Sequence, residues 1–140
     1  LDATHLAEFH QVEGFIMGEG LALRHLMGII QEFYAKIGIT KIKFKPTYNP
    51  YTEPSMEALG YSPELGKWIE LINSGMFRKE SLAPFGITVP VIAWGFGLER
   101  LAMILYGKKS LKEIMGPEVD IDFIRRYPGT KHGLGREKEA

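Results

Sequence analysis

The stretch Val91-Ile-Ala-Trp-Gly-Phe-Gly-Leu-Glu-Arg-Leu-Ala-Met-Ile-Leu-Tyr106 predicts a strand that runs straight into a helix. Ile92, Trp94, Phe96 and Leu98 alternate with Ala93, Gly95 and Gly97 at period two, and Leu101, Ala102 and Leu105 then recur at helical spacing. One strand face is bulky and the other nearly bare. Glycine in a strand forfeits packing and backbone entropy, so an alanine and two glycines on one face imply a close approach to the backbone. Arg100 falls in the first helical turn, where free N–H groups and the positive end of the dipole favour an anion such as phosphate. Two readings stay open: a pocket floor with an anion-binding arginine, or a helix crossing close to a sheet beside a solvated arginine.

Upstream of this stretch, Lys79 to Leu82 predicts a short helical turn before Pro84. Met56 to Tyr61 and Lys67 to Asn73 are expected as strands joined at Ser62-Pro-Glu-Leu-Gly66, with Asn73-Ser74-Gly75 ending the second strand. Glu70 lies between Trp68 and Ile72 on one face of the second strand, and a carboxylate among bulky neighbours points to a metal or to hydrogen-bond partners. The segment Tyr48-Asn-Pro-Tyr-Thr-Glu-Pro54 is turn-rich and aromatic, and its prolines hold Asn49 and Tyr51 in place, as ligand walls or as loop packing. Lys41 to Pro46 alternates three lysines with Ile42, Phe44 and Pro46, the pattern by which edge strands stay unpaired; RNA contact is the weaker reading.

Glu19 to Lys36 predicts a helix that covers the sheet, with Leu23, Leu26, Met27, Ile30, Phe33, Tyr34 and Ile37 on its apolar stripe and Gly38 as its stop. From Glu8 to Met17 a strand is expected, with Phe9, Gln11, Glu13, Phe15 and Met17 on one side. Gln11 and Glu13 then stand among apolar neighbours, either facing a polar ligand or simply solvated. Downstream, Ser110 is expected to cap a short helix through Ile114, and Asp120 another through Arg126. The polar segment Gly129 to Ala140 is expected to be disordered.

Composition bounds the function. The 140 residues suit one domain, and 45% hydrophobic with 24% charged residues is ordinary for a globular chain. No apolar run approaches the ~20 residues of a membrane span, so no membrane segment or signal peptide is expected. The absence of cysteine excludes disulfides, thiolate catalysis and cysteine-bound zinc, and fits a cytoplasmic protein. Seventeen basic residues balance 17 acidic ones, so nothing global announces nucleic-acid binding.

Asp2-Ala-Thr-His5, Phe9-His-Gln-Val-Glu-Gly14, Asn49-Pro-Tyr-Thr-Glu-Pro54 and Gly95-Phe-Gly-Leu-Glu-Arg100, in that order, resemble the catalytic core of class II aminoacyl-tRNA synthetases. Within the class, the chain is most similar to phenylalanyl-tRNA synthetase alpha subunits of archaeal and eukaryotic type, from Leu1 to about Pro128. The resemblance implies an α+β fold, an antiparallel sheet flanked by helices, and activation of phenylalanine by ATP and Mg2+ with transfer to tRNA(Phe). It implies that Phe9 stacks on adenine, that Arg100 lies on the other side of the nucleotide near its phosphates, and that His5 and Gly97 complete the ATP site. Gln11 and Glu13 match the pair that holds the substrate ammonium, Asn49, Tyr51 and Gly95 line the phenylalanine pocket, Ala93 sets its depth, and Glu70 helps hold magnesium.

The broader class usually has glycine where Ala93 stands, and the phenylalanine branch accepts alanine. The family's second motif also has an arginine on a strand expected before Asp2, and its first motif is absent. The chain is therefore expected to be the C-terminal part of a catalytic domain, residues 1–128, followed by a tail at 129–140, weakly active or inactive alone. The resemblance further implies a beta subunit in an alpha-beta heterotetramer. The alternative is a synthetase-like module that binds or assembles without catalysing.

Overall fold

The computed structural model describes residues 5–114 and 120–126. Its scaffold is a five-stranded antiparallel sheet in the order β1-β5-β4-β3-β2, formed by β1 (Gln11–Met17), β2 (Ile42–Asn49), β3 (Thr52–Ser62), β4 (Lys67–Phe77) and β5 (Val91–Gly97). Helix α1 (Leu23–Lys36) lies on one face. The short α2 (Lys79–Leu82) follows β4, α3 (Leu98–Leu105) follows β5 without a linker, and α4 (Ile121–Arg126) comes last among the described residues. This is the expected α+β arrangement of an antiparallel sheet flanked by helices.

The bulky side of β5 accounts for the core. Ile92 and Phe96 are buried with Leu26, Ile30 and Tyr34 of α1, Met56 and Ala58 of β3, and Leu101 of α3. The Phe33 and Phe96 rings meet at 5.4 Å between centroids. A second, smaller cluster joins Ile69, Met103 and Leu111 and anchors α3 to β4. Burial holds the Tyr34 phenol well above its usual range, because charging it would strand an anion among hydrocarbon.

Several boundaries differ from the sequence reading. Helix α1 starts at Leu23, not Glu19, because Gly20 turns the chain at a positive φ of 74°; it stops at Gly38, φ 89°, as its sequence indicates. His25 closes the first turn by accepting the Ala22 N–H at 2.9 Å. Strand β1 starts at Gln11, since its partner β5 ends at Gly97, opposite Gln11, and turns into α3. Strand β4 runs on through Asn73, Ser74 and Gly75 to Phe77: these small residues pair with Gly95, Trp94 and Ala93 on one side and with β3 on the other. They are ladder members, not a terminus.

Glu70 and Ile72, expected on one face, point to opposite faces. A bulge between Ala58 and Leu59 leaves Leu71 as an extra residue in β4, so Ile72 opposite Ala58 enters the core while Glu70 opposite Leu59 turns away. The lysine strand β2 is an edge of the sheet, as its pattern predicts. Lys43 Nζ sits 4.0 Å from the centre of the Trp68 ring, and Lys45 pairs with Glu57 at 2.9 Å. Ser110 caps a turn at Leu111–Glu113, 3-10 rather than α, and Asp120 accepts the Asp122 N–H at 2.9 Å to cap α4. The tail expected at 129–140 lies outside the described residues.

Candidate active-site cleft

The bare side of β5 is the floor of a cleft of about 850 Å³ on the sheet face opposite α1. Strand register explains why. Gln11, Glu13 and Phe15 of β1 stand opposite Gly97, Gly95 and Ala93, while Asn73 and Gly75 of β4 stand opposite Gly95 and Ala93 from the other side. Three strands thus bring their cleft-facing residues level, and the middle strand contributes almost no side chain. At Gly97 a Cβ would meet no atom within 4 Å, and at Gly95 it would meet only the Glu13 side chain, at 3.4 Å. Protein packing does not require either glycine; the space above them is open.

The walls come from four elements. His5 and Phe9 precede β1, Gln11 and Glu13 lie on it, Asn49 and Tyr51 sit on the β2–β3 turn, and Arg100 projects from the first turn of α3. Each of these residues lines the cleft, as do Ala93, Gly95, Gly97 and Glu70. The residues named from sequence therefore converge on one surface, although they span 95 positions between His5 and Arg100.

Arg100 is the best-tied cation of the site. Its Nη1 lies 3.5 Å from Glu70 Oε2 and donates to the Glu70 carbonyl oxygen at 3.4 Å, and its Nη2 is 3.4 Å from His5 Nε2. Glu70 also accepts from Asn73 Nδ2 at 2.8 Å, so its carboxylate is aimed from two sides. Arg100 and Glu70 remain about a quarter and a third exposed, which screens the pair and leaves both groups reachable by a ligand.

The turn that carries Asn49 and Tyr51 is fixed from below. Thr52 and Ser55 are buried with their hydroxyls 2.6 Å apart; Ser55 Oγ donates to the Thr52 carbonyl at 2.9 Å and accepts the Asn49 N–H at 3.3 Å. Arg78 pairs with Glu53 at 2.7 Å and donates its N–H to the Tyr51 carbonyl at 3.0 Å. Gly75 permits this closeness, because a Cβ there would stand 2.6 Å from the Pro54 carbonyl oxygen. These supports were not evident from the sequence. The only local signal was the Ser74-Gly75 pair, and it suggested a strand end.

A buried carboxylate was also missed. Glu99, beside Arg100, accepts the backbone N–H of His10 at 2.9 and 3.0 Å and lies 2.6 Å from His10 Nδ1. Its partner is 89 residues away, a pairing that no local pattern announces.

The fold agrees with comparisons to known proteins. Residues 1–127 match the family described as tRNA synthetases class II core domain (F), and the chain belongs to that family. It is 57% identical over 128 residues to a probable phenylalanine–tRNA ligase alpha subunit of Encephalitozoon cuniculi, covering 90% of this chain and 27% of that protein. It is 55% identical over 130 residues to the phenylalanine–tRNA ligase alpha subunit of Rattus norvegicus, covering 91% and 26%, and 54% identical to the Homo sapiens protein of that name, with the same coverage. The chain thus spans about a quarter of the length of these relatives. Among solved structures, pyrrolysyl-tRNA synthetase from Desulfitobacterium hafniense shares the fold, with a TM-score of 0.64 at 21% identity over 84% of this chain and 40% of that one.

Proposed function

We propose that this chain is the part of a phenylalanine–tRNA ligase alpha subunit that activates phenylalanine with ATP and passes it to tRNA(Phe). The observation that carries the reading is the side-by-side placement of Gln11 with Gly97 and Glu13 with Gly95 on neighbouring strands of one cleft, with Ala93 next along the same face of β5. An ammonium group needs a carboxylate and an amide oxygen, which Glu13 and Gln11 offer from one strand face. An aromatic side chain needs a floor without side chains and flat walls, which Ala93, Gly95, Asn49 and Tyr51 offer. The similarity to phenylalanine–tRNA ligase alpha subunits supports the choice of amino acid.

In the first step a substrate carboxylate oxygen attacks the α-phosphorus of ATP and pyrophosphate leaves, so no general base is needed. In the second, a ribose hydroxyl of the tRNA end attacks the acyl carbon and AMP leaves. The chain's own residues act by alignment and charge: Phe9 and Arg100 hold the two faces of the purine, and Arg100 with His5 stands against the phosphates. Magnesium prefers oxygen donors and usually takes one or two carboxylates beside substrate phosphates. Glu70 fits that role as a partly exposed carboxylate at the cleft wall. A bound magnesium ion would neutralise phosphate charge. Among the described residues there is no group of three or more acidic or histidine ligands that would hold a metal without substrate.

The partner beta subunit, an alpha-beta heterotetramer and a cytoplasmic location belong to the same proposal. No helix among the described residues is long and apolar enough to cross a membrane. The test is pyrophosphate exchange across a panel of amino acids, with the full-length protein and its partner subunit. Exchange with phenylalanine, lost in Glu13→Ala and Arg100→Ala, is the expected result. Equal exchange in those variants would refute the roles, and calorimetry showing binding of neither phenylalanine nor ATP would favour a non-catalytic module.

A further inference from the structure

We infer that Glu99 is a positioning residue that sets the spacing of the two groups enclosing the nucleotide, Phe9 and Arg100, by clamping the chain at His10. This rests on the proposed function, because it assigns the nucleotide to that end of the cleft.

The β1–β5 ladder ends at Gln11 opposite Gly97, since β5 turns there into α3. Phe9 and His10 lie beyond the last paired residue. The His10 N–H has no strand partner there, and Phe9, half exposed, has little packing to hold it. Glu99 takes over where the ladder stops. Its carboxylate accepts the His10 N–H through both oxygens and meets the His10 ring at 2.6 Å, while the Leu98 N–H donates to the His10 carbonyl at 2.9 Å. Both backbone groups of His10 are thereby fixed to the first turn of α3.

The cost of burying this carboxylate indicates that the arrangement is specific. The Glu99 side chain is only 5% exposed, whereas the His10 ring is 69% exposed. A buried anion is tolerated only with donors on it, and here the His10 N–H, the His10 ring and the positive end of α3 supply them. Phe9 precedes His10 and Arg100 follows Glu99 in sequence, so the clamp joins the two by one covalent step on each side. Gln11 is held separately by its pairing with Gly97. Loss of the clamp should therefore fall on the nucleotide and spare the amino acid.

The test uses the full-length protein with its partner subunit, comparing wild type, Glu99→Gln and His10→Ala. Pyrophosphate exchange is measured with ATP and phenylalanine varied in turn, together with equilibrium binding of ATP and thermal unfolding. Glu99→Gln removes the negative charge and one of the two oxygens that accept from His10, so the KM for ATP should rise roughly 10-fold or more with the KM for phenylalanine within about 2-fold. His10→Ala keeps the backbone bonds and should show a smaller rise, about 3-fold. It decides the matter if Glu99→Gln does not fold. An unchanged KM for ATP in the variants, or equal rises for both substrates, would overturn the inference. A wild type that binds ATP but exchanges no pyrophosphate with phenylalanine would refute the functional reading instead, and ATP binding by the variants would still test the clamp.

Discussion

Gly95→Ala separates what the floor does for the fold from what it does for the ligand. The added Cβ would meet only Glu13, at 3.4 Å from its Cγ and 3.5 Å from its Oε1, and Gly95 does not have a positive φ. The protein can accept the methyl group with a small shift of one flexible side chain. Replacing glycine by alanine also restricts the unfolded chain, a gain of about 0.4–1 kcal/mol where the native backbone suits alanine. Stability should stay within about 1 kcal/mol of wild type, on either side. The ligand has no such freedom, because carbon atoms settle about 3.5–4.0 Å apart and a substrate lying on the floor must rise or tilt. Displacement by about 1 Å can cost on the order of 100-fold in rate. The expected result is a melting temperature within about 5 °C of wild type with kcat/KM for pyrophosphate exchange reduced about 100-fold. Near-wild-type exchange with intact stability would refute the assignment of Gly95 as floor. A collapse of stability would show that the space above Gly95 is filled by protein.

Gly75→Ala should behave in the opposite way: its Cβ would collide with the Pro54 carbonyl at 2.6 Å and Thr52 Cβ at 2.8 Å, destabilising by about 1–3 kcal/mol in denaturant unfolding. Glu13→Gln removes the charge facing the ammonium group and should raise the KM for phenylalanine about 10- to 100-fold while leaving that for ATP unchanged in exchange kinetics. Ile92→Ala empties a fully buried site between α1 and the sheet and should cost about 2–5 kcal/mol by urea titration. Burial raises the Tyr34 phenol above its unfolded value near 10, so above that pH the unfolded chain loses a proton that the native chain keeps, and stability falls as pH rises. In Tyr34→Phe that alkaline decline should be shallower, measured as the slope of unfolding free energy between about pH 10 and 11.

The alternation in Val91–Gly97 specifies both the core face and the bare face, because a strand's side chains must point to opposite sides in turn. Stripe spacing and Gly38 likewise specify α1 and its end. The chemical types that line the cleft stood out locally, as an amide, a carboxylate, aromatics and an arginine set among apolar or glycine-rich neighbours, but solvated or packing roles fitted them equally, and only the family resemblance chose between the readings.

Tertiary structure decided which of these groups face one another. Strand register, a long-range quantity, brings Glu13 level with Gly95 and Asn73 with Gly95 from the other side. A single bulge turned Glu70 to the cleft and Ile72 to the core, against the period-two expectation. Ser74 and Gly75 look like a strand end in isolation and become ladder members because β3 and β5 flank them. The Glu99–His10 clamp joins residues 89 positions apart. Side-chain periodicity is set by neighbours along the chain and can be read there; hydrogen-bond partners and burial of a charge are set by neighbours in space, and only folding supplies them.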